Sequence, residues 1–334
     1  MMVVQLLVSR GSALMPWKNY NPVIQMPQWY SNVSNDGIII PTTDDLAYIL
    51  NRDFRWAYNK LTVTQMQGIP CGPIGTLPTE YPVCVKPIMN LMGGSINSYV
   101  CHTEEQFAKI KDPGSFWSRY AMGDHYSIDF LVDQGHNARQ FVFRGEKLQH
   151  GAFDYWEYIG EQRDIDDLEV KTILHRFIDQ NFFGYSGIVN VEIIGTQIIE
   201  VQLRMGDIDR FGDPSIMQGI YDLYNENDTE YLYSDDWGFK NNFYLAALFA
   251  QPNKSFNINF DALDYIVSDY ITYYQIDNPK LYYTNPPHGN RVAIFCGEDW
   301  ESVAWARNIA IAMFKPDIDG KYIHPLKDYQ ELSL

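Results

Sequence analysis

The stretch GIVNVEIIGTQIIEVQLR, residues 187–204, decides how the rest of the chain is read. Two apolar runs, 187–194 and 197–203, flank Gly195-Thr196, a two-residue turn of the kind that closes a β-hairpin. Successive strand residues alternate faces, so Glu200 and Gln202 project together. The tight turn lets Glu192 reach across from the partner strand. Its neighbours Val191 and Ile193, like Ile199 and Val201 beside Glu200, are apolar, whereas a solvated acidic face would carry more charge. Two carboxylates and an amide oxygen on one face suit a hard, oxygen-seeking cation such as Mg²⁺. A polar stripe on an amphipathic hairpin is the simpler reading of the same pattern.

Upstream, 81–88 (YPVCVKPI) reads as a buried strand carrying Lys86, followed by a loop with Gly93, Gly94 and Ser95. A lysine there can reach phosphate oxygens, and glycines let backbone amides approach them. Before it, 53–67 has a helical pattern that stops at Gly68-Ile69-Pro70. After it, 97–101 reads as a returning strand, with Thr103 as the N-cap of a short helix. A strand over 116–132 is interrupted at Met122-Gly123-Asp124. Two more, 141–143 and 149–155, flank an expected turn at Arg144-Gly145-Glu146-Lys147. The 167–180 segment carries Val170, Leu174, Phe177 and Ile178 on one helical face. Near the end, 291–296 reads as a strand and 302–314 as a helix capped by Asp299. Strands, hairpins and scattered helices in this order predict an α+β, mixed α/β architecture.

Composition bounds the partners. The 334 residues are 46% hydrophobic and 20% charged, which excludes a disordered chain. A formal charge of −17 repels phosphate backbones, so nucleic acid is not expected as the partner. Aromatics reach 15%, but the basic residues of a nucleic-acid stacking groove are missing, so they read as packing. Cys71, Cys84, Cys101 and Cys296 form no CxxC pair and read as free thiols. No run approaches the ~18 apolar residues of a membrane span, so no membrane is expected and a cytoplasmic location is. His102, His136 and His175 lack partners at metal spacing and read as structural or surface residues.

Taken in order, these pieces resemble the ATP-grasp superfamily. The resemblance runs from about Asp53 to Asp207, with a looser match over 291–314, and rests on QGIPCGP, VCVKPIMNLMGGS, SRYAMGDHYSIDFLV and VEIIGTQIIEVQLR. It implies two α+β subdomains enclosing a nucleotide cleft: a reduced N-terminal region over 1–50, a small subdomain over 51–115 and a large one over 116–334. It assigns Lys86 to the nucleotide phosphates, Gly93, Gly94 and Ser95 to a loop closing over them, and Arg119, Tyr120 and Ala121 to the hinge that reads adenine. Glu192, Glu200 and Gln202 resemble the ligands of two Mg²⁺ ions. Arg204 resembles the arginine facing the transferred phosphate or the substrate carboxylate.

The chain departs from the family pattern at three places. Gln202 stands where Asn is usual, and His125 stands where a Glu usually holds the ribose. The first basic contact is either Arg55 or Lys60, with Arg55 preferred because it follows Asp53-Phe54. Arg144, Lys147 and Arg163 fall where auxiliary basic residues occur, and Asp207, Asp209 and Arg210 where a second substrate would be met. The implied activity is an ATP- and Mg²⁺-dependent ligase that activates a small-molecule carboxylate as an acyl phosphate for attack by an amine. A small-molecule kinase and a non-catalytic nucleotide-binding protein are the alternatives. The short N-terminal region implies that a homodimer or the stretch 205–334 completes the pocket.

Overall fold

Antiparallel strands dominate the structure, a computed structural model that describes residues 39–91, 97–147, 153–160, 168–206, 214–225, 228–234, 236–238, 242–250, 273–276 and 290–314. Four short strands, β1 (Cys71–Pro73), β2 (Val83–Pro87), β3 (Tyr99–Cys101) and β4 (Ser115–Arg119), form an antiparallel sheet in the order β1-β4-β2-β3. The larger sheet takes β5 (His125–Asp133), β6 (His136–Lys147), β7 (Phe153–Gly160), β8 (Gly187–Ile194), β9 (Gln197–Gln202), β10 (Phe243–Ala250), β11 (Tyr273–Ile276) and β12 (Asn290–Gly297). Its order is β11-β12-β10-β7-β6-β5-β8-β9, so the β8–β9 hairpin lies at one edge.

The described helices are α1 (Asp44–Leu50), α2 (Lys60–Met66), α3 (Glu104–Phe107), α4 (Leu168–Asn181), α5 (Pro214–Tyr224) and α6 (Trp300–Phe314), with 3₁₀ turns at Arg52–Tyr58 and Glu230–Tyr233. Near-continuous burial along β5 and β8 gives the larger sheet two apolar faces. One, with Ile128, Phe130, Val189 and Val191, packs on Leu174 and Phe177 of α4 and on Ala57, Tyr58 and Val63. The other, with Phe141, Phe143 and Leu245, packs on Ile216, Met217 and Ile220 of α5. The mixed α+β class is as expected, with Thr103 accepting from the Gln106 amide and Asp299 from the Ser302 amide as caps.

Three local expectations need correction. The helix expected over 53–67 breaks at Asn59, whose extended backbone bridges Met89 and whose side chain accepts from the Thr62 amide at 2.9 Å. Lys60 then starts a new helix, and its amide donates to the Ile88 carbonyl at 2.8 Å. The interruption expected at Met122-Gly123-Asp124 within 116–132 is present, but the pieces on its two sides are strands of different sheets, not one strand. The turn expected at Arg144–Lys147 is the end of β6, because Arg144 lies opposite Glu157 on β7 and pairs with it at 2.7 Å.

The Met122–Asp124 crossing is tied to the tip of the β8–β9 hairpin. The Gly195 amide donates to the Asp124 carbonyl at 2.9 Å. Gly123 and Gly195 both have positive φ, and a Cβ on Gly195 would lie 2.3 Å from the Met122 carbonyl oxygen. Only glycine allows this backbone-on-backbone packing.

Candidate active site

The β8–β9 register sets Glu192 directly opposite Glu200 and Asn190 opposite Gln202, so all four side chains share one face. Like charges opposed across a ladder repel, and here each carboxylate has a counter-charge or donor. The Lys60 ammonium lies 2.9 Å from Glu200 Oε1, and Gln202 Nε2 donates to the same oxygen at 3.1 Å. On β5, His125 Nε2 lies 3.1 Å from Glu192 Oε2, its ring edge-on to Trp156. Lys60, His125 and Gln202 are all buried, while Glu192 and Glu200 are about one-fifth exposed, so the carboxylates mark where the site opens.

Lys86 enters from the smaller sheet. Its buried ammonium donates to the Ile199 carbonyl of β9 at 2.8 Å and sits over the Phe116 ring. Burial pulls its pKa from the usual 10.5 down to about 8; the neighbouring Lys60 pulls the same way, while Cys84, Glu200 and Glu192 oppose the shift. The two lysines, from different elements, therefore meet beside the opposed carboxylates.

The same face carries, across β5 and β8, a buried polar network to which the sequence motifs give no role. Asn190 Nδ2 donates to Ser127 Oγ and to Asp129 Oδ1, each at 2.9 Å, and the Gly206 amide donates to Asp129 Oδ1 at 2.7 Å. A Cβ on Gly206 would fall 2.7 Å from Asn190 Nδ2, so the chain after β9 is pressed onto this network. Arg204, two residues earlier, is gripped by Asp44 of α1: Nε to Oδ1 at 2.9 Å and Nη2 to Oδ2 at 3.2 Å. The sequence signals were Ser127 and Asp129 at strand spacing among apolar residues, opposite Asn190. For Asp44 no local signal existed.

The structure brings together Lys60, Lys86, Glu192, Glu200, Gln202 and His125, with Arg204 at the end of the same strand. It does not bring Arg55 there. That guanidinium donates to the Tyr48 and Ile49 carbonyls and lies over the Tyr48 ring, closing the end of α1. Arg119 ends β4 and Tyr120 and Ala121 follow it, near the start of β9. The Arg119 carbonyl accepts from Gln197, and the Arg119 and Tyr120 amides donate to the Pro70 and Pro82 carbonyls. Arg144 is bound to Glu157 on an exposed part of β6. Gly93, Gly94, Ser95, Arg163, Asp207, Asp209, Arg210 and the Lys147 side chain lie outside the described residues. His102 and His136 are exposed and His175 is half-buried against Phe130. The four cysteines are free, Cys101 and Cys296 buried and Cys71 and Cys84 half-buried. No described helix is long and apolar enough to cross a membrane.

No family model and no curated protein matches the chain. Solved structures do. The L-amino acid ligase from Bacillus licheniformis superposes with a TM-score of 0.53 at 13% identity, over 80% of this chain and 75% of that one. Carboxyaminoimidazole ribonucleotide synthase from Aspergillus clavatus, complexed with ATP, gives 0.53 at 10% identity, over 79% and 74%. The biotin carboxylase domain of the 2-oxoglutarate carboxylase from Hydrogenobacter thermophilus, in complex with MgADP, ADP and bicarbonate, gives 0.52 at 12% identity, over 81% and 71%. The fold is ATP-grasp. The resemblance read from four motifs therefore holds at the level of fold, and within that fold the paired carboxylates and two lysines lie between the smaller sheet and the edge of the larger one.

The donor set fits a Mg²⁺–nucleotide. Among the described residues, no three His, Cys, Asp or Glu side chains converge to cage a metal unaided. Mg²⁺ is commonly held by one or two carboxylates, with phosphate oxygens and water completing its octahedron. The Lys60 ammonium on Glu200 already stands where a cation's charge is stabilised.

Proposed function

We propose that this chain is an ATP- and Mg²⁺-dependent ligase that converts a small-molecule carboxylate to an acyl phosphate, which an amine or similar nucleophile then attacks. The observation that carries this reading is the opposed Glu192–Glu200 pair with Lys60 and Lys86 converging on it from two other elements. Phosphoryl transfer needs charge neutralisation and positioning more than acid–base groups. Glu192, Glu200 and the Gln202 amide oxygen would hold Mg²⁺, and Lys60 and Lys86 would hold phosphate oxygens. The metal, when bound, neutralises charge on the transferred phosphoryl group. The 119–121 segment, anchored by β1, β2 and β9, would present backbone groups to the adenine. Arg204 would stabilise charge as it develops on the transferred group. Gln202 in place of Asn supplies the same amide from one methylene further out.

The test is ADP and phosphate release from ATP across a panel of carboxylic acids with and without amines. Release that requires both partners supports the ligase. Phosphorylated product without an amine would make the chain a small-molecule kinase, and saturable ATP binding with no turnover would make it a non-catalytic binder. A homodimer completing the pocket belongs to the same proposal, and a monomeric mass by light scattering at micromolar protein would remove it.

A pH dependence follows from Lys86. Its ammonium loses its proton as pH rises through about 8, whereas bound phosphate oxygens favour the protonated form. ATP affinity is therefore expected to hold up to about pH 7.5 and to weaken by up to about tenfold per unit above pH 8. ATP titrations at a series of pH values from about 7 to about 9.5 check it. Lys86→Arg, which stays charged, should flatten the decline; an unchanged decline in that variant would assign it to another group.

A further inference from the structure

Arg204 lies at the end of the metal-binding strand, yet its guanidinium faces a carboxylate of the chain itself. Asp44, the first residue of α1, meets it through two parallel hydrogen bonds of 2.9 and 3.2 Å, and Arg204 Nη1 donates to the Met205 carbonyl at 2.7 Å. Asp44 is nearly buried and Arg204 about one-fifth exposed, so the pair is only weakly screened. Glu200, Lys60 and Tyr58 surround it, with Tyr58 Oη accepting from the Leu203 amide at 3.1 Å. The bidentate geometry is the one an arginine offers to a substrate carboxylate.

We propose that Asp44 is a specificity-determining residue, a tethered carboxylate that bars monocarboxylates from the Arg204 fork and reserves it for phosphoryl oxygens. The proposal rests on the ligase reading and settles which of two anions Arg204 serves. A carboxylate on the same chain competes at an effective concentration in the millimolar range or above. An external monocarboxylate offers the same charge and the same two oxygens, so it gains nothing by replacing Asp44. A phosphoryl group carries more charge, and Lys60 and Lys86 attract it from the neighbouring elements. The substrate carboxylate is therefore seated elsewhere, beside the phosphoryl group held by Arg204.

Inorganic phosphate and acetate, titrated at constant ionic strength and read by thermal shift, test this without ATP. In the wild type, phosphate stabilises and acetate does not. Asp44→Asn gains acetate binding about tenfold tighter than the wild type, the change expected when a charge-assisted pair no longer has to be broken. Arg204→Gln loses the phosphate response. Acetate bound no better by Asp44→Asn than by the wild type overturns the proposal, as does phosphate binding that survives in Arg204→Gln. Should Asp44→Asn fail to fold, hydrogen exchange in the wild type decides. Saturating phosphate should speed exchange of the 44–51 amides by freeing α1, and acetate should not; an equal response to both overturns the proposal. The ATP·Mg²⁺ response of the wild type is a separate measurement, and its loss would sink the ligase reading while leaving the phosphate–acetate contrast to stand or fall by itself.

Discussion

Replacing Glu200 with alanine is expected to lower Mg²⁺-dependent phosphate release from ATP by at least about a hundredfold, the scale of losing one preorganised electrostatic contact to a transferring group. Glu200 is the point where the site's charges meet. It opposes Glu192 across the ladder, holds the Lys60 ammonium at 2.9 Å and accepts from Gln202 at 3.1 Å. Without it, Lys60 loses its paired carboxylate, Lys86 keeps Glu192 as a supporting charge, and a metal would lose one of its two charged ligands. Glu200→Gln keeps the shape and an acceptor oxygen but not the charge, so it should lose turnover almost as fully. Steady-state assays on folded variants read this directly. Activity within about threefold of wild type in both variants would remove Glu200 from the site.

The second large effect is on stability. Phe182, fully buried just after α4, stacks on Phe54 at 5.9 Å and contacts Trp56 at 5.3 Å, Phe177 at 6.2 Å and Tyr185 at 5.6 Å. It joins α4 to the 3₁₀ turn that leads into Lys60. Truncation to alanine leaves a cavity that four rings cannot close without tilting, and should cost about 3–5 kcal/mol in denaturant unfolding. Because the turn positions Lys60, ATP affinity should fall with it. Phe183, the next residue, is 88% exposed, and its alanine variant should change stability by less than about 0.5 kcal/mol. A Phe182→Ala loss below about 1 kcal/mol would mean that the 52–58 turn is held by other contacts.

The legible parts of the fold were those written in short-range pattern. Two apolar runs around Gly195-Thr196 announced the hairpin and, with the strand period of two, placed Glu192, Glu200 and Gln202 on one face. Apolar residues at helical spacing announced α4. Arg55 was preferred to Lys60 because it follows Asp53-Phe54 in a helix expected over 53–67, whereas Asn59 breaks that helix. Its backbone bridge to Met89 restarts the helix at Lys60 and turns that lysine toward Glu200, leaving Arg55 to close α1. The turn expected at Arg144–Lys147 failed because a glycine among charged residues also suits a strand whose arginine has a cross-strand glutamate. Asp44 was out of reach altogether. It meets Arg204 across 160 residues of sequence, and one acidic residue at a helix start carries no hint of such a partner. Asn190 and Asp129 were visible as polar interruptions in apolar strands, but only the β5–β8 register shows that they face each other.

Whether the paired carboxylates and lysines form a Mg²⁺–nucleotide site is decided by a thermal-shift titration with ATP, with and without Mg²⁺, in wild type, Glu200→Ala and Lys86→Ala. A ligand that binds only the native state raises its melting temperature by mass action. The expected result is a Mg²⁺-dependent rise of several degrees in the wild type at millimolar ATP, lost in both variants. No rise in the wild type, or a rise that both variants retain, would contradict the account.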